Sequence, residues 1–391
     1  MSRTALSALL IAASATAAAL AQLPSPINPH LERSSVPGAC RACHRGHGVS
    51  RTPMLTATAN EVCLACHDSQ ARAAEAVARG WLAPGARPPL LGGLLVQPFT
   101  HPLTADATSR EQTGAITCTS CHSPHRGARE PHLGSVPGRK KVSPRDPSRF
   151  EHELCESCHG GAGVRTESLL DLSRLFDPNS RSFHPVHATT AERAPSIVAD
   201  LAGREINCTD CHANSDAQGP RGPHGSAVAA LLVANYVTVD GSDERRETYG
   251  LCYGCHQREK VLASTVFPEH ARHVVDEKAS CATCHGAHGS ISNRALIRFG
   301  EETTLGGVGP SLAAGRLEFV SDAQGSGLCY LTCHGVDHGP KGYGGDVRPL
   351  GSHDVEALRG QLQPVAPGEG LLAPAVPELP RPEREAAPPP L

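Results

Sequence analysis

The sequence predicts a mostly irregular chain of short α-helices and little β-structure, in which four repeats share a core the polypeptide does not itself supply. Three observations lead there. The 391 residues include 39 glycines and 33 prolines but only seven phenylalanines, five tyrosines and one tryptophan, a composition too poor in large apolar side chains to fill an ordinary core. All sixteen cysteines fall into eight close pairs, each followed at once by a histidine. The pairs recur two by two, with further histidines at matched places.

Two cysteines separated by two residues and followed by histidine form the attachment signature of c-type haem. The thiols add to the two porphyrin vinyl groups, and the adjacent histidine is the proximal iron ligand. The eight copies are Cys40/Cys43/His44, Cys63/Cys66/His67, Cys118/Cys121/His122, Cys155/Cys158/His159, Cys208/Cys211/His212, Cys252/Cys255/His256, Cys281/Cys284/His285 and Cys329/Cys333/His334. The last spaces its cysteines by three residues, Tyr330-Leu331-Thr332, and so departs from the pattern. Zinc knuckles need no histidine directly after the second cysteine. Disulfide frameworks join cysteines at varied spacings, not in eight tight pairs. The sequence therefore predicts eight covalent haems, each an apolar disc that fills the core.

Paired motifs divide the chain into dihaem repeats at residues 22–95, 96–178, 179–262 and 263–345. The first holds His30 and His47 around its first motif, the second His101 and His125. The third holds His184, His187 and His224, and the fourth His270, His273 and His288. Each repeat asks for two sixth ligands. His30, His47, His101, His125, His184 or His187, His224, His270 or His273, and His288 fill all eight places. The competing ligand, methionine, is confined to Met1 and Met54. Imidazole on both faces favours ferric iron and low potentials. His132, His152, His338 and His353 lack a matched place, with His338 a reserve ligand. A sixth ligand must approach from the face opposite its haem's own motif. His47, His125 and His288, three residues beyond a motif histidine, are therefore expected to serve a neighbouring haem.

The Cys-Thr-Asp-Cys-His stretch at Cys208–His212, Leu251-Cys252-Tyr253-Gly254-Cys255-His256, Ser182-Phe183-His184-Pro185-Val186 and Arg221-Gly222-Pro223-His224-Gly225-Ser226 carry a resemblance. Over residues 30–345 the chain resembles the multihaem cytochromes of doubled Cys-x-x-Cys-His motifs, from bacteria that respire on metals or on sulfur and nitrogen compounds. The resemblance implies electron transport in anaerobic or extracellular respiration.

Residues 1–21 read as a signal peptide, with Arg3, an apolar run from Ala5 to Leu20 and a small-residue cleavage site. No later run is long enough to span a bilayer, so a periplasmic, secreted or cell-surface protein is expected. The formal charge is −3, and haem propionates make the loaded chain more acidic, which argues against nucleic acid as a partner. Among local elements, Asn60-Glu61 begins a helix through Arg79, Leu231–Val239 reads as a short strand, and every attachment motif is expected on a helical turn. Leu82–Gly93 and Pro131–Pro147 read as loops, the second with its flank carrying the basic Arg139, Lys140, Lys141, Arg145 and Arg149. The proline-rich tail at 346–391 is expected to be disordered.

Eight haems on so short a chain lie close together, and irons saturated by two histidines leave no position for substrate. Electron relay between a redox donor and acceptor is therefore the leading function. The alternatives are a multihaem reductase of nitrite, hydroxylamine or tetrathionate with one open haem at Cys329–His334, and a filament-forming haem wire in which His30 crosses to the next subunit. Self-association and an outer-membrane conduit are the further partners considered.

Overall fold

Haem motifs set the secondary structure. The computed structural model describes residues 28–49, 54–103, 116–125, 139–140, 143–147, 151–161, 171–187, 194–201, 203–204, 206–299, 307–321 and 326–344. The proposed signal peptide, His132, His353 and the tail lie outside them. Helices are short: α1 (Cys40–Cys43), α2 (Ala59–His67), α3 (Gln70–Ala78), α4 (Gly92–Leu95), α5 (Cys118–Cys121), α6 (Glu151–His159), α7 (Leu172–Leu175), α8 (Cys208–Cys211), α9 (Gly250–Tyr253), α10 (Arg258–Leu262) and α11 (Cys281–Cys284). Four of them are little more than a Cys-x-x-Cys turn. In each such turn the histidine N–H closes on the first cysteine's carbonyl, as from His122 to Cys118 at 2.8 Å and from His285 to Cys281 at 2.9 Å. One helical turn thus sets both cysteines and the histidine on one side.

The expected helix from Asn60 to Arg79 is two helices. Thr58 and Glu61 form a capping box at the start of α2, and the Ser69 side chain accepts from Arg72 N–H to start α3. Between them, Leu91 N–H donates to the His67 carbonyl and Gly92 N–H to Asp68, so a returning loop satisfies the end of α2. Gly92 belongs there because a Cβ would meet the Asp68 carboxylate at 2.5 Å.

The expected strand at Leu231–Val239 is absent. Ala230 and Leu231 take left-handed φ values of 57° and 58°, and Val233 N–H then donates to the Cys211 carbonyl, so this segment folds against a haem motif. Ala295 and Leu296 repeat that turn at φ 52° and 59° beside the seventh motif.

Strands β1 (Arg139–Lys140) and β2 (Ser143–Pro147) pair within the stretch expected as a loop, and β3 (Ser182–Phe183) pairs with β4 (Gly289–Ser290). The largest departure is C-terminal, where β5 (Val308–Gly309), β6 (Glu318–Ser321), β7 (Gly327–Cys333) and β8 (Val336–Tyr343) form an antiparallel sheet. β7 lies between β8 on one edge and β5 and β6 on the other. Its alternation of Leu328, Tyr330 and Thr332 with Cys329, Leu331 and Cys333 suits a strand, and Phe299, Phe319 and Leu331 form its core. The eighth motif is therefore extended, not helical.

Apolar clusters are small. Tyr249, Tyr253 and Val274 make one, and Ala73, Ala76 and Leu82 another. Polar clasps do much of the joining. The Arg258 guanidinium and the Tyr253 hydroxyl donate to Glu244, whose side chain is 1% exposed. Among the described residues no helix is long and apolar enough to cross a membrane.

Candidate functional site

All sixteen cysteines and all eight motif histidines line one connected cavity of about 4650 Å³. A single small-molecule pocket occupies roughly 300–1,000 Å³, so this space suits several large cofactors rather than one. Burial pushes His122, His256, His270 and His288 down to about 4. Burial also pushes the Cys121 thiol up to about 11 and the Cys211 and Cys284 thiols up to about 12. Neutral imidazole is the form that binds iron.

The histidines face one another in pairs across the cavity. Ring centres are 6.0 Å apart for His30 and His67, 6.0 Å for His44 and His125, and 6.3 Å for His101 and His159. They are 5.8 Å apart for His122 and His224, 6.0 Å for His212 and His288, and 6.3 Å for His270 and His285. Two metal–nitrogen bonds of about 2 Å, with about 1.1 Å from each nitrogen to its ring centre, need about 6 Å between rings. The observed separations suit an iron between each pair. His184 is a near electrostatic neighbour of His256, which links the sixth motif to the upstream histidine of its repeat.

Hydrogen bonds aim these rings. The Nδ1 atoms of His67, His212 and His285 bond to the carbonyls of Pro89, Ala230 and Ala295 at 2.9, 2.8 and 2.7 Å. Those of His101, His184 and His273 bond to Pro223, Ala287 and Glu269 at 2.9, 2.5 and 2.8 Å, and His256 Nδ1 meets the Ser196 hydroxyl at 2.9 Å. Such a bond fixes the tautomer and leaves Nε2 for a metal. The left-handed turns at Ala230 and Ala295 now have a purpose, since they present the carbonyls that hold His212 and His285. Sequence reading missed these two alanines. The signal lies in the recurring Gly-Ser followed by Ala-Leu, at Gly225-Ser226 with Ala230-Leu231 and at Gly289-Ser290 with Ala295-Leu296.

Neighbouring motifs form a continuous series in sequence order. The first cysteines of motifs two and three, Cys63 and Cys118, are close neighbours, as are Cys155 with Cys208 and Cys252 with Cys281. Second cysteines make the alternate links, Cys66 lying near Cys43, Cys121 near Cys158, Cys211 near Cys255, and Cys284 near both Cys329 and Cys333. Polar side chains bind the same partners. Asn60 Oδ1 accepts from Cys118 N–H at 2.9 Å, and Glu151 accepts from the Thr209 N–H and hydroxyl at 2.7 and 2.9 Å. Asp240 accepts from Ser280 N–H at 2.7 Å and from the Thr283 hydroxyl. Each clasp crosses a boundary between the sequence repeats.

Three expected ligands stand apart. His47 is exposed, does not line the cavity and faces no imidazole among the described residues. His187 Nε2 bonds to Glu156 Oε1 at 2.6 Å, and its ring lies 4.1 Å from His152, too close for an intervening iron. His334 Nε2 meets Asp240 Oδ2 at 2.8 Å. Of the basic group, Lys141 and Arg149 lie outside the described residues, and Arg139, Lys140 and Arg145 lie in β1 and β2.

Comparison with known families agrees with this geometry. Residues 117–295 match the family described as outer membrane cytochrome MtrC/MtrF-like, domains II/IV, and residues 35–72 match the doubled CXXCH motif. No curated protein and no solved structure matches the chain. Haem-attachment motifs throughout, a shared cavity that every one of them lines, and matches to two haem-protein families identify the chain as a multihaem c-type cytochrome, a protein of electron transport.

Proposed function

We propose that the chain is an exported octahaem relay, in which eight covalent haems of low potential pass electrons between a redox donor and acceptor in anaerobic or extracellular respiration. The observation that carries this reading is the set of facing histidines. His44 and His125 would hold the first iron, His67 and His30 the second, His122 and His224 the third, His159 and His101 the fourth. His212 and His288 would hold the fifth and His285 and His270 the seventh. His184 would serve the sixth with His256 by its place ahead of the fifth motif, as His30 and His101 do in their repeats. When bound, haem supplies reversible one-electron chemistry at iron. The chain's own residues would set that chemistry: two imidazoles would hold each iron, backbone carbonyls orient several of them, and burial favours their neutral form.

One interlocking rule supports the assignment. The histidine beyond an odd-numbered motif reaches back to the odd-numbered haem of the preceding repeat, as His125 does to His44 and His224 to His122. The histidine ahead of an odd-numbered motif reaches forward to the next even-numbered motif, as His30 does to His67 and His101 to His159. The first six haem sites are thereby each tied to a second stretch of chain, and the adjacent cysteines give a row of close neighbours in sequence order. The outer-membrane description of the matched family favours a place at the cell surface, with an outer-membrane conduit among the partners.

The holoprotein tests this directly. Its mass should report eight haems, and its ferric spectrum should be low-spin at the seven irons named above. Added cyanide or carbon monoxide should leave those seven unchanged, and nitrite, hydroxylamine and tetrathionate should not be turned over. Exogenous ligand at any of the seven, or turnover of those substrates there, would replace the relay with an enzyme.

A further inference from the structure

The eighth motif does not follow the other seven, and its departure has a consistent geometry. Cys329 and Cys333 lie on β7 and pack with Leu331 against the same core of Phe299 and Phe319. His334 follows in the turn between β7 and β8 with φ 47°, and its Nε2, the atom an iron would need, is bonded to Asp240 at 2.8 Å. Its N–H reaches the Gly307 carbonyl instead of closing a turn on Cys329. His338, four residues later on β8, is directly opposite Leu331 in the ladder. Opposed residues of antiparallel strands share a face, so His338 stands on the face that carries the cysteines. Its ring centre is 6.3 Å from that of His273, within the range of the other facing pairs. His273 Nδ1 donates to the Glu269 carbonyl at 2.8 Å and so leaves Nε2 available.

We infer that the eighth haem is ligated by His338 and His273, and that His334, adjacent to the second cysteine, is a structural clamp. This rests on the octahaem reading above. The motif then reads Cys-x-x-x-Cys with its proximal histidine five residues beyond the second cysteine. His334 ties the hairpin to Asp240, which also caps α11 through Ser280 and Thr283, so the clamp joins the eighth site to the seventh.

The inference also accounts for the two upstream histidines of the fourth repeat. By the interlocking rule, the seventh haem takes the histidine that follows the next odd-numbered motif. His270 faces His285 in its stead, and His273 is left to serve the eighth haem. Phe267 packs on both, with ring centres 4.9 Å from His270 and 5.7 Å from His273, and it touches Tyr343 of the hairpin at 4.7 Å. One aromatic ring thus sets the two ligands against the two last sites.

The test compares His334→Ala, His338→Ala and His338→Met in the purified holoprotein, read by mass and by the ferric electron paramagnetic resonance spectrum. Mass comes first: a haem-free peptide containing Cys329 and Cys333 in the unaltered protein would overturn the octahaem reading and this inference with it. With eight haems present, His338→Ala should turn one haem in eight high-spin, whereas His334→Ala should leave all eight low-spin. His338→Met keeps a ligand there should the alanine variant not fold, and should raise one midpoint potential while the spectrum stays low-spin. A high-spin haem in His334→Ala together with an unchanged spectrum and potentials in the His338 variants assigns the iron to His334. An unchanged spectrum and potentials in all three variants leaves neither histidine as ligand. Either result overturns the inference.

Discussion

Residues 28–299 and the hairpin at 308–343 solve one problem in two ways. In the first region a Cys-x-x-Cys-His turn fixes its own ligand geometry: a single helical turn points two thiols and an imidazole the same way, and little other structure is needed. On the proposed reading neighbouring stretches supply the sixth ligands, and they also supply polar caps, so Asn60, Glu151 and Asp240 each bridge two motifs. In the hairpin, the wider spacing is carried on a strand, and the partner strand presents the imidazole. Where the backbone is helical, sequence adjacency decides the ligand. On a strand, pairing across the ladder decides it.

The largest effect should come from breaking the row of haems within the first region. Cys118→Ala combined with Cys121→Ala removes the third haem, leaving two sites on one side and five on the other. The mass should fall by one haem, and reduction by a donor acting at one end should split into fast and slow populations in stopped-flow traces. Cys329→Ala with Cys333→Ala also removes one haem, but from the end of the row, so the remaining reduction should stay in one phase. Equal kinetics in the two variants would contradict a linear relay.

Next in size is the ligand contrast. His224→Ala should make one haem high-spin, that of Cys118 and Cys121, because the ring opposite His122 is gone. His47→Ala should leave the spectrum unchanged, since no imidazole faces it among the described residues. Sequence spacing alone gives His47 and His125 the same place after their motifs. The difference lies in what each one faces: His125 stands opposite His44, and His47 stands opposite no imidazole among the described residues.

A polar clasp should matter less than a haem yet more than any surface pair. The Arg258 guanidinium beside Glu244 holds its carboxyl below the usual carboxylate range, with burial opposing and the Tyr253 hydroxyl assisting. Because the folded pKa is depressed, the bound carboxylate contributes stability above the unfolded value of about 4.5, and that contribution is lost as pH falls through the lower folded value. Glu244→Gln should therefore cost about 1 kcal/mol at pH 7 in a denaturant titration, leaving Arg258 with a neutral partner, and should flatten the acid limb below about pH 4.5. An unaltered acid limb would show that the ion pair is not what joins Glu244 to α10.

The attachment motifs were legible in the sequence because haem chemistry demands fixed residue types at fixed spacing. The fold was legible only as a class. Helix starts at Thr58 and Ser69 are written in capping residues, whereas the partners of the sixth ligands depend on contacts between repeats that spacing cannot express. His187 shows the limit: it shares Phe-His-Pro-Val-His with His184, yet Glu156 takes its Nε2. The C-terminal sheet was hidden for another reason. A Cys-x-x-x-Cys-His stretch suggests a helical turn, while the short apolar run Leu328–Leu331 is compatible with a strand, and the strand prevails because Phe299 and Phe319 give it a core.

The smallest effect tests the turn that the first region repeats and the hairpin lacks. Ala230 holds φ 57° so that its carbonyl can accept from His212 Nδ1 at 2.8 Å. A left-handed residue other than glycine costs about 1–2 kcal/mol in the folded chain, whereas glycine gives up about 0.5–1 kcal/mol through the flexibility of the unfolded chain. The two terms nearly cancel, so Ala230→Gly should change stability by less than about 1 kcal/mol while His212 keeps its bond and the spectrum its form. A loss of several kcal/mol would mean that the Ala230 methyl group, and not its carbonyl, is what the fifth haem site requires. The low-spin spectrum distinguishes the two, because only loss of the carbonyl bond frees the His212 ring to turn.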